Sequence, residues 1–131
     1  MSAHLDPRGP PGRQWLGAAG RALQAHHLLP ALEHDLVLLG ADLNLAGGRA
    51  ERAWRVLDAA GFRFGVPATL PAWRHTFHAI PPLVLDYVLL RDRHGVVRDA
   101  RIHRLDEEPR DHGRTVFGSD HHPLLACLEF R

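Results

Sequence analysis

Apolar positions recur every three or four residues in two stretches of the chain and crowd into short runs in four others. The sequence therefore mixes helical and extended signals. In residues 13–29, Trp15, Leu16, Ala19, Ala22, Leu23 and His26 fall at helical spacing, and Pro30 follows where a helix commonly stops. In residues 49–60, Ala50, Ala53, Trp54 and Leu57 mark one face of a second helix. A Gly47-Gly48 turn precedes it and Gly61 stands as its C-cap. The run at 35–39 ends in Gly40 and reads as a buried strand. Residues 62–66 suggest a short strand and 83–90 a long apolar one. A turn at 92–95 leads into a strand with mixed faces at 96–105, and 123–130 closes the series. Between these lie a Pro/Gly loop at 6–12, an irregular segment with four prolines at 67–82 and a charged loop at 106–118. Helices interleaved with strands predict an α/β fold, a mixed or antiparallel sheet carrying two helices on one face.

Composition narrows this picture. At 131 residues the chain is one ordinary domain, and 45% apolar content excludes a disordered one. A formal charge of +1 argues against a generally basic nucleic-acid binder. All sixteen basic residues are arginine, as expected from a GC-rich genome rather than from a preference for guanidinium forks. The five arginines at 91, 93, 98, 101 and 104 alternate with acids and read as a solvated face. Cys127 is the single cysteine, so no internal disulfide forms, and its apolar neighbours predict a buried thiol. No signal-peptide core opens the chain and no apolar run approaches membrane-spanning length, which leaves the cytoplasm as the default expectation.

Candidate chemistry gathers at strand ends. In Gly40-Ala41-Asp42-Leu43-Asn44, the two-residue spacing lets the carboxylate and the amide leave the same side of an extended backbone. Both residue types also shape turns through local backbone hydrogen bonds, so a purely structural role is the alternative. Asp86 interrupts the apolar run Leu83-Val84-Leu85-Asp86-Tyr87-Val88-Leu89-Leu90, where a carboxylate is costly to bury unless paired. A histidine would supply that partner; an edge position facing water is the alternative. Ser119-Asp120-His121 adds a second carboxylate and an imidazole able to act as a base. His75 and His78 lie three apart, but in a proline-rich segment with no second ligand pair they carry no metal motif.

In order along the chain, these segments resemble landmarks of the endonuclease/exonuclease/phosphatase (DNase I-like) superfamily. Ala3-His4-Leu5-Asp6-Pro7 resembles its strand-end histidine, and Gly40 through Asn44 its Gly-Asp-x-Asn turn with Ala41 inserted. Leu85-Asp86-Tyr87-Val88-Leu89 resembles the Ile/Leu-Asp-Tyr strand, and Ser119-Asp120-His121-His122-Pro123-Leu124 the Ser-Asp-His-x-Pro terminus. Thr76-Phe77 before a proline-rich turn matches as well. The resemblance covers the C-terminal half of the domain. The family's first half carries an Asn and a metal-binding Glu, and only Met1-Ser2-Ala3 precedes His4. A remnant gene, a start codon placed too late and a first half on another chain all fit.

The resemblance implies a partial α/β sandwich and a metal-dependent phosphoesterase acting by activated-water attack on a phosphodiester or phosphomonoester. Asp86 would orient His121, which with Asp42 would activate the water. Asn44 would hydrogen-bond the phosphate, and His4 would contact it or assist the leaving oxygen. Asp120 and Asp42 would hold Mg²⁺ or Mn²⁺. All six side chains are expected at one end of a sheet, with Asp86 and His121 the closest pair. The absence of an Arg-Ala-Ser-Asp-His tail disfavours DNA repair, which leaves nucleic acid, lipid and inositol phosphate as substrate classes. An apolar sheet face is expected to await the absent half, a partner or a second copy. The competing expectation is a non-catalytic remnant or interaction module of the same fold.

Overall fold

The computed structural model describes residues 1–6, 17–64, 66–67, 75–77, 83–105, 110–111, 114–115 and 119–131. The chain runs β1 (Ser2–His4), α1 (Ala18–Leu28), a 3-10 turn (Leu29–Leu32), β2 (Leu36–Asp42), a 3-10 turn (Gly48–Ala50) and α2 (Arg52–Ala59). It continues through β3 (Arg63–Phe64), β4 (Val66–Pro67), β5 (Asp86–Asp92), β6 (Val97–Arg104), β7 (Arg110–Asp111), β8 (Arg114–Thr115) and β9 (Leu124–Phe130). The architecture is mixed α/β. No helix among the described residues is long and apolar enough to cross a membrane.

One sheet has the order β1-β2-β5-β3, with β1 parallel to β2 and the other pairs antiparallel. A second ladder, β4-β6-β9, takes up the C-terminal strands, and β7-β8 form a small hairpin. The hairpin falls in the segment expected to be charged loop. The short strand expected at 62–66 splits, β3 joining the first sheet and β4 the second.

Alternation along the central strands sorts the first sheet's two faces. Val37, Leu39 and Ala41 of β2 and Tyr87 and Leu89 of β5 point into one core with Ala25 of α1 and Ala53 and Leu57 of α2. The Tyr87 ring lies 5.6 Å from that of Trp54, and burial pushes its hydroxyl pKa up to about 12. The opposite face carries Leu36, Leu38 and Asp42 of β2 with Asp86, Val88 and Leu90 of β5. Leu36 and Leu38 remain 41% and 37% exposed, so this face is apolar and open at their end and half-buried at Asp42, Asp86, Val88 and Leu90.

Three expectations are corrected. The first helix buries Arg21 and Ala25, while Leu23 is exposed, so its core-facing stripe is out of phase with the apolar one. Arg21 tolerates burial because Glu51 receives its guanidinium at 2.7–3.1 Å on both oxygens. Arg91 is likewise buried rather than solvated. It donates to the carbonyls of Leu32, His34 and Ala60, and its guanidinium lies 4.8 Å from the Phe62 ring. Cys127 is exposed, since β9 lies in a thin ladder whose alternate residues reach solvent. Trp15, Leu16, His78 and most of the segments at 6–12, 67–82 and 106–118 lie outside the described residues.

Candidate active site

Asp42 ends β2 and Asp86 opens β5, and the antiparallel register sets them directly opposite each other. Both leave the sheet on the face away from the helices. Two like charges in this cross-strand relation repel and call for a cation between or beside them. His4, at the end of the parallel strand β1, pairs with Asp42 on the other side. Its Nε2 is 3.5 Å from Asp42 Oδ2, with the imidazole largely in solvent.

The loop after β2 is shaped by the residues that carry the candidate chemistry. Asp42 Oδ1 accepts the Asn44 backbone N–H at 3.0 Å, closing a local turn. Asn44 adopts φ +50°, a left-handed conformation that Asn tolerates better than most side chains. Its side-chain Nδ2 donates to the Leu5 carbonyl at 2.9 Å, tying the end of β1 to this loop. The turn-shaping role is thus real for both residues. It leaves Asp42 Oδ2 facing His4 and the second Asn44 amide hydrogen as a further donor.

His121 comes from the segment just before β9, in the other ladder. Its Nδ1 lies 2.8 Å from Asp86 Oδ2, in a part-buried setting. The backbone N–H of His121 donates to Ser119 Oγ at 3.1 Å, and the ring lies 5.1 Å from that of Phe77. Asp120 stands farther out, 70% exposed, with Oδ1 3.9 Å from His121 Nε2. All six expected side chains therefore lie in one neighbourhood. Asp42, Asp86 and His121 form its centre, with Asp120 and His4 at the rim.

The electrostatics follow this arrangement. Burial raises the Asp42 pKa above the ordinary carboxylate value, and the charge of Asp86 adds to the rise. The Asn44 amide and the two histidines oppose it without cancelling it. For His121, burial alone would favour the neutral ring. The hydrogen bond and charge of Asp86, with Asp42 and Asp120 behind it, outweigh burial and raise the pKa above that of a free imidazole. A carboxylate held partly against its charge is a site short of positive charge. Ligand atoms of Asp42, Asp86 and His121 can approach one another within 4.8 Å, a span that suits a metal ion. Two carboxylates and one imidazole suit Mn²⁺, and suit Mg²⁺ if water completes its shell.

Thr76 is the residue whose importance the sequence understated. It is fully buried, and its Oγ1 accepts the backbone N–H groups of Leu85 and Asp86 at 2.9 and 3.0 Å. Such side-chain-to-backbone bonds leave no spacing signal. The one available cue is a Thr close in sequence to the carboxylate strand it serves.

No protein-family model matches the chain, and no curated protein sequence matches it. Among solved structures it is similar to a mannosyl-6-phosphatase of Bacteroides thetaiotaomicron, at TM-score 0.62 and 17% identity, over 97% of this chain and 49% of the other. It is also similar to beta toxin of Staphylococcus aureus, at TM-score 0.56 and 19% identity, over 95% and 49%. Sphingomyelinase C of Streptomyces griseocarneus gives TM-score 0.54 and 24% identity, over 92% and 48%. The fold is DNase I-like. At these identities the likeness speaks for the fold, and the chain spans about half the length of each of these structures. The neighbours include a mannosyl-6-phosphatase and a sphingomyelinase C.

Proposed function

We propose that this chain supplies half of the active site of a metal-dependent phosphoesterase, hydrolysing a phosphodiester or phosphomonoester by activated-water attack. The observation that carries the reading is the 2.8 Å Asp86–His121 contact beside a second carboxylate, Asp42, whose charge is under-compensated. In this reading the water oxygen forms a bond to phosphorus as the ester P–O bond breaks. His121 Nε2 takes the water proton while Nδ1 donates to Asp86, which holds the ring's direction and supports its positive charge. Asp42 orients the water, and Asn44 donates a hydrogen bond to a phosphoryl oxygen. His4 protonates or contacts the departing oxygen. Asp42 and Asp120 would hold Mg²⁺ or Mn²⁺, with Asp86 close by, and the ion would supply charge neutralisation at the phosphoryl group. A further half of the domain would bring the remaining metal carboxylate. The substrate is a phosphate ester of the nucleic-acid, lipid or inositol-phosphate classes.

The test is hydrolysis of bis-p-nitrophenyl phosphate with Mg²⁺. The chain alone is expected to turn over poorly, because phosphoryl transfer depends on fully positioned charge. Addition of the segment encoded upstream in the same genome restores turnover. In the restored protein, His121→Ala or Asp42→Ala removes it by about 10²–10⁴-fold. Restored turnover that survives both substitutions would exclude this site.

The exposed Leu36 and Leu38 favour a second reading, an interaction module of the same fold whose open face is covered by a protein partner. A stop codon close upstream of Met1, with no turnover under any complementation, would select it.

A further inference from the structure

Asp86 and His121 are 35 positions apart and belong to different ladders, β5 in the first sheet and the approach to β9 in the second. Neither ladder's hydrogen bonds fix the distance between them. A hydrogen-bonded carboxylate–imidazole pair nevertheless needs its two backbones held to a fraction of an ångström. Thr76 bonds to the first backbone and to the residue next to the second. Its hydroxyl accepts the N–H of Leu85 and of Asp86, at the point where β5 begins. Its own N–H donates to the Leu83 carbonyl at 3.0 Å, and its carbonyl accepts the His122 N–H at 2.8 Å. The next residue, Phe77, forms a single antiparallel bridge with His121 itself. The side chain is sealed from water, so its hydroxyl must find protein partners, and the amides of Leu85 and Asp86 have it as theirs.

We propose that Thr76 is the positioning residue of the Asp86–His121 pair, clamping the backbone at Asp86 through its hydroxyl and the His121–His122 segment through its carbonyl and the neighbouring Phe77 bridge. The inference rests on the functional reading above only for its consequence in catalysis. The clamp itself is a property of the folded chain. Its direct readout is the imidazole tautomer. With Asp86 held in place, neutral His121 keeps its proton on Nδ1 and presents a bare Nε2. With the clamp loosened, the ring relaxes toward the commoner Nε2–H form.

Long-range ¹H–¹⁵N correlation spectra of ¹⁵N-histidine-labelled chain, at alkaline pH where the ring is neutral, read this out. Wild type and Thr76→Ser, which keeps the hydroxyl, should show His121 predominantly as the Nδ1–H tautomer. Thr76→Val, close in shape but without the acceptor, should shift most of the population to Nε2–H in a protein whose amide spectrum is otherwise folded. A folded Thr76→Val that keeps the Nδ1–H form overturns the proposal. If Thr76→Val does not fold, wild type decides. Leu85 and Asp86 amides protected from exchange by about 100-fold or more, with an Nδ1–H His121, support the clamp, and unprotected amides overturn it. Absence of phosphoesterase turnover would leave this outcome untouched, and a failed tautomer test would leave the hydrolysis assay standing, so the two claims fail separately.

Discussion

Two pairs of charged side chains lie on opposite sides of the same sheet and solve the problem of burial differently. On the helix-covered side, Arg21 and Glu51 are 2% and 9% exposed and meet in a two-pronged ion pair, and Glu51 Oε1 also accepts the Gly47 N–H. Both charges of this pair have their opposite. On the open side, Asp42 and Asp86 face each other across the β2–β5 register with like charge, and the imidazoles of His4 and His121, from other segments, are set against them. Compensated buried charge holds α1 to the start of α2. Under-compensated charge in a half-open cleft is what a site needs to attract a cation or a proton. The difference separates the structural ion pair from the candidate chemistry without reference to any relative.

The largest expected effect breaks the compensated side. Glu51→Ala strands a buried guanidinium and should lower unfolding stability by about 3–5 kcal/mol in denaturant titration. Glu129→Ala, which removes the partner of Arg98 in a well-exposed pair, should change it by less than about 0.5 kcal/mol. Equal effects would erase the contrast between buried and exposed pairs.

On the open side the sign reverses. Asp42→Asn relieves a carboxylate whose ionised form the fold disfavours and keeps an oxygen for the Asn44 amide. It should raise Tm by roughly 2–4 °C while removing cation binding. A lower Tm would mean that Asp42 is structural like Glu51. The smallest effect is in the pH dependence. His121 has a folded pKa above its unfolded value, so its contribution to stability is complete below about pH 6.5 and is lost as pH rises through the folded pKa. Asp42 acts in the same direction, favouring the fold while protonated and losing that contribution as pH rises past its raised pKa. Stability should therefore decline in wild type as pH rises from about 6.5 through the folded His121 pKa, and that decline should flatten in His121→Asn.

Much of the site was legible in the sequence because each part is local. Asp42 and Asn44 sit at the end of one apolar run, Asp86 interrupts another, and His121 follows Ser-Asp before a third. The strand phase of β2 and β5 then put both carboxylates on one face. The helix phase of α1 was not legible, because the residue that turns inward is an arginine and hydrophobic spacing cannot see a buried ion pair. Arg91 hid for the same reason, its partners being backbone carbonyls. β9 misled about Cys127 because an apolar run in a two-sided, thinly covered ladder looks the same in sequence as a buried strand. Thr76 acts through two amides and a carbonyl, none of which leaves a pattern in side-chain types.

The central claim, that Asp42, Asp86 and His121 form one cation-seeking site, is tested most directly by titrating Mn²⁺ into the ¹⁵N-labelled chain and following paramagnetic broadening. The account predicts selective loss of the Asp42, Leu43, Asp86, Asp120 and His121 signals first, with Asp35 and His94, an exposed carboxylate–imidazole pair elsewhere on the surface, unaffected at the same concentration. Broadening at Asp35 and His94 ahead of His121, or none near Asp42 at millimolar Mn²⁺, would contradict it.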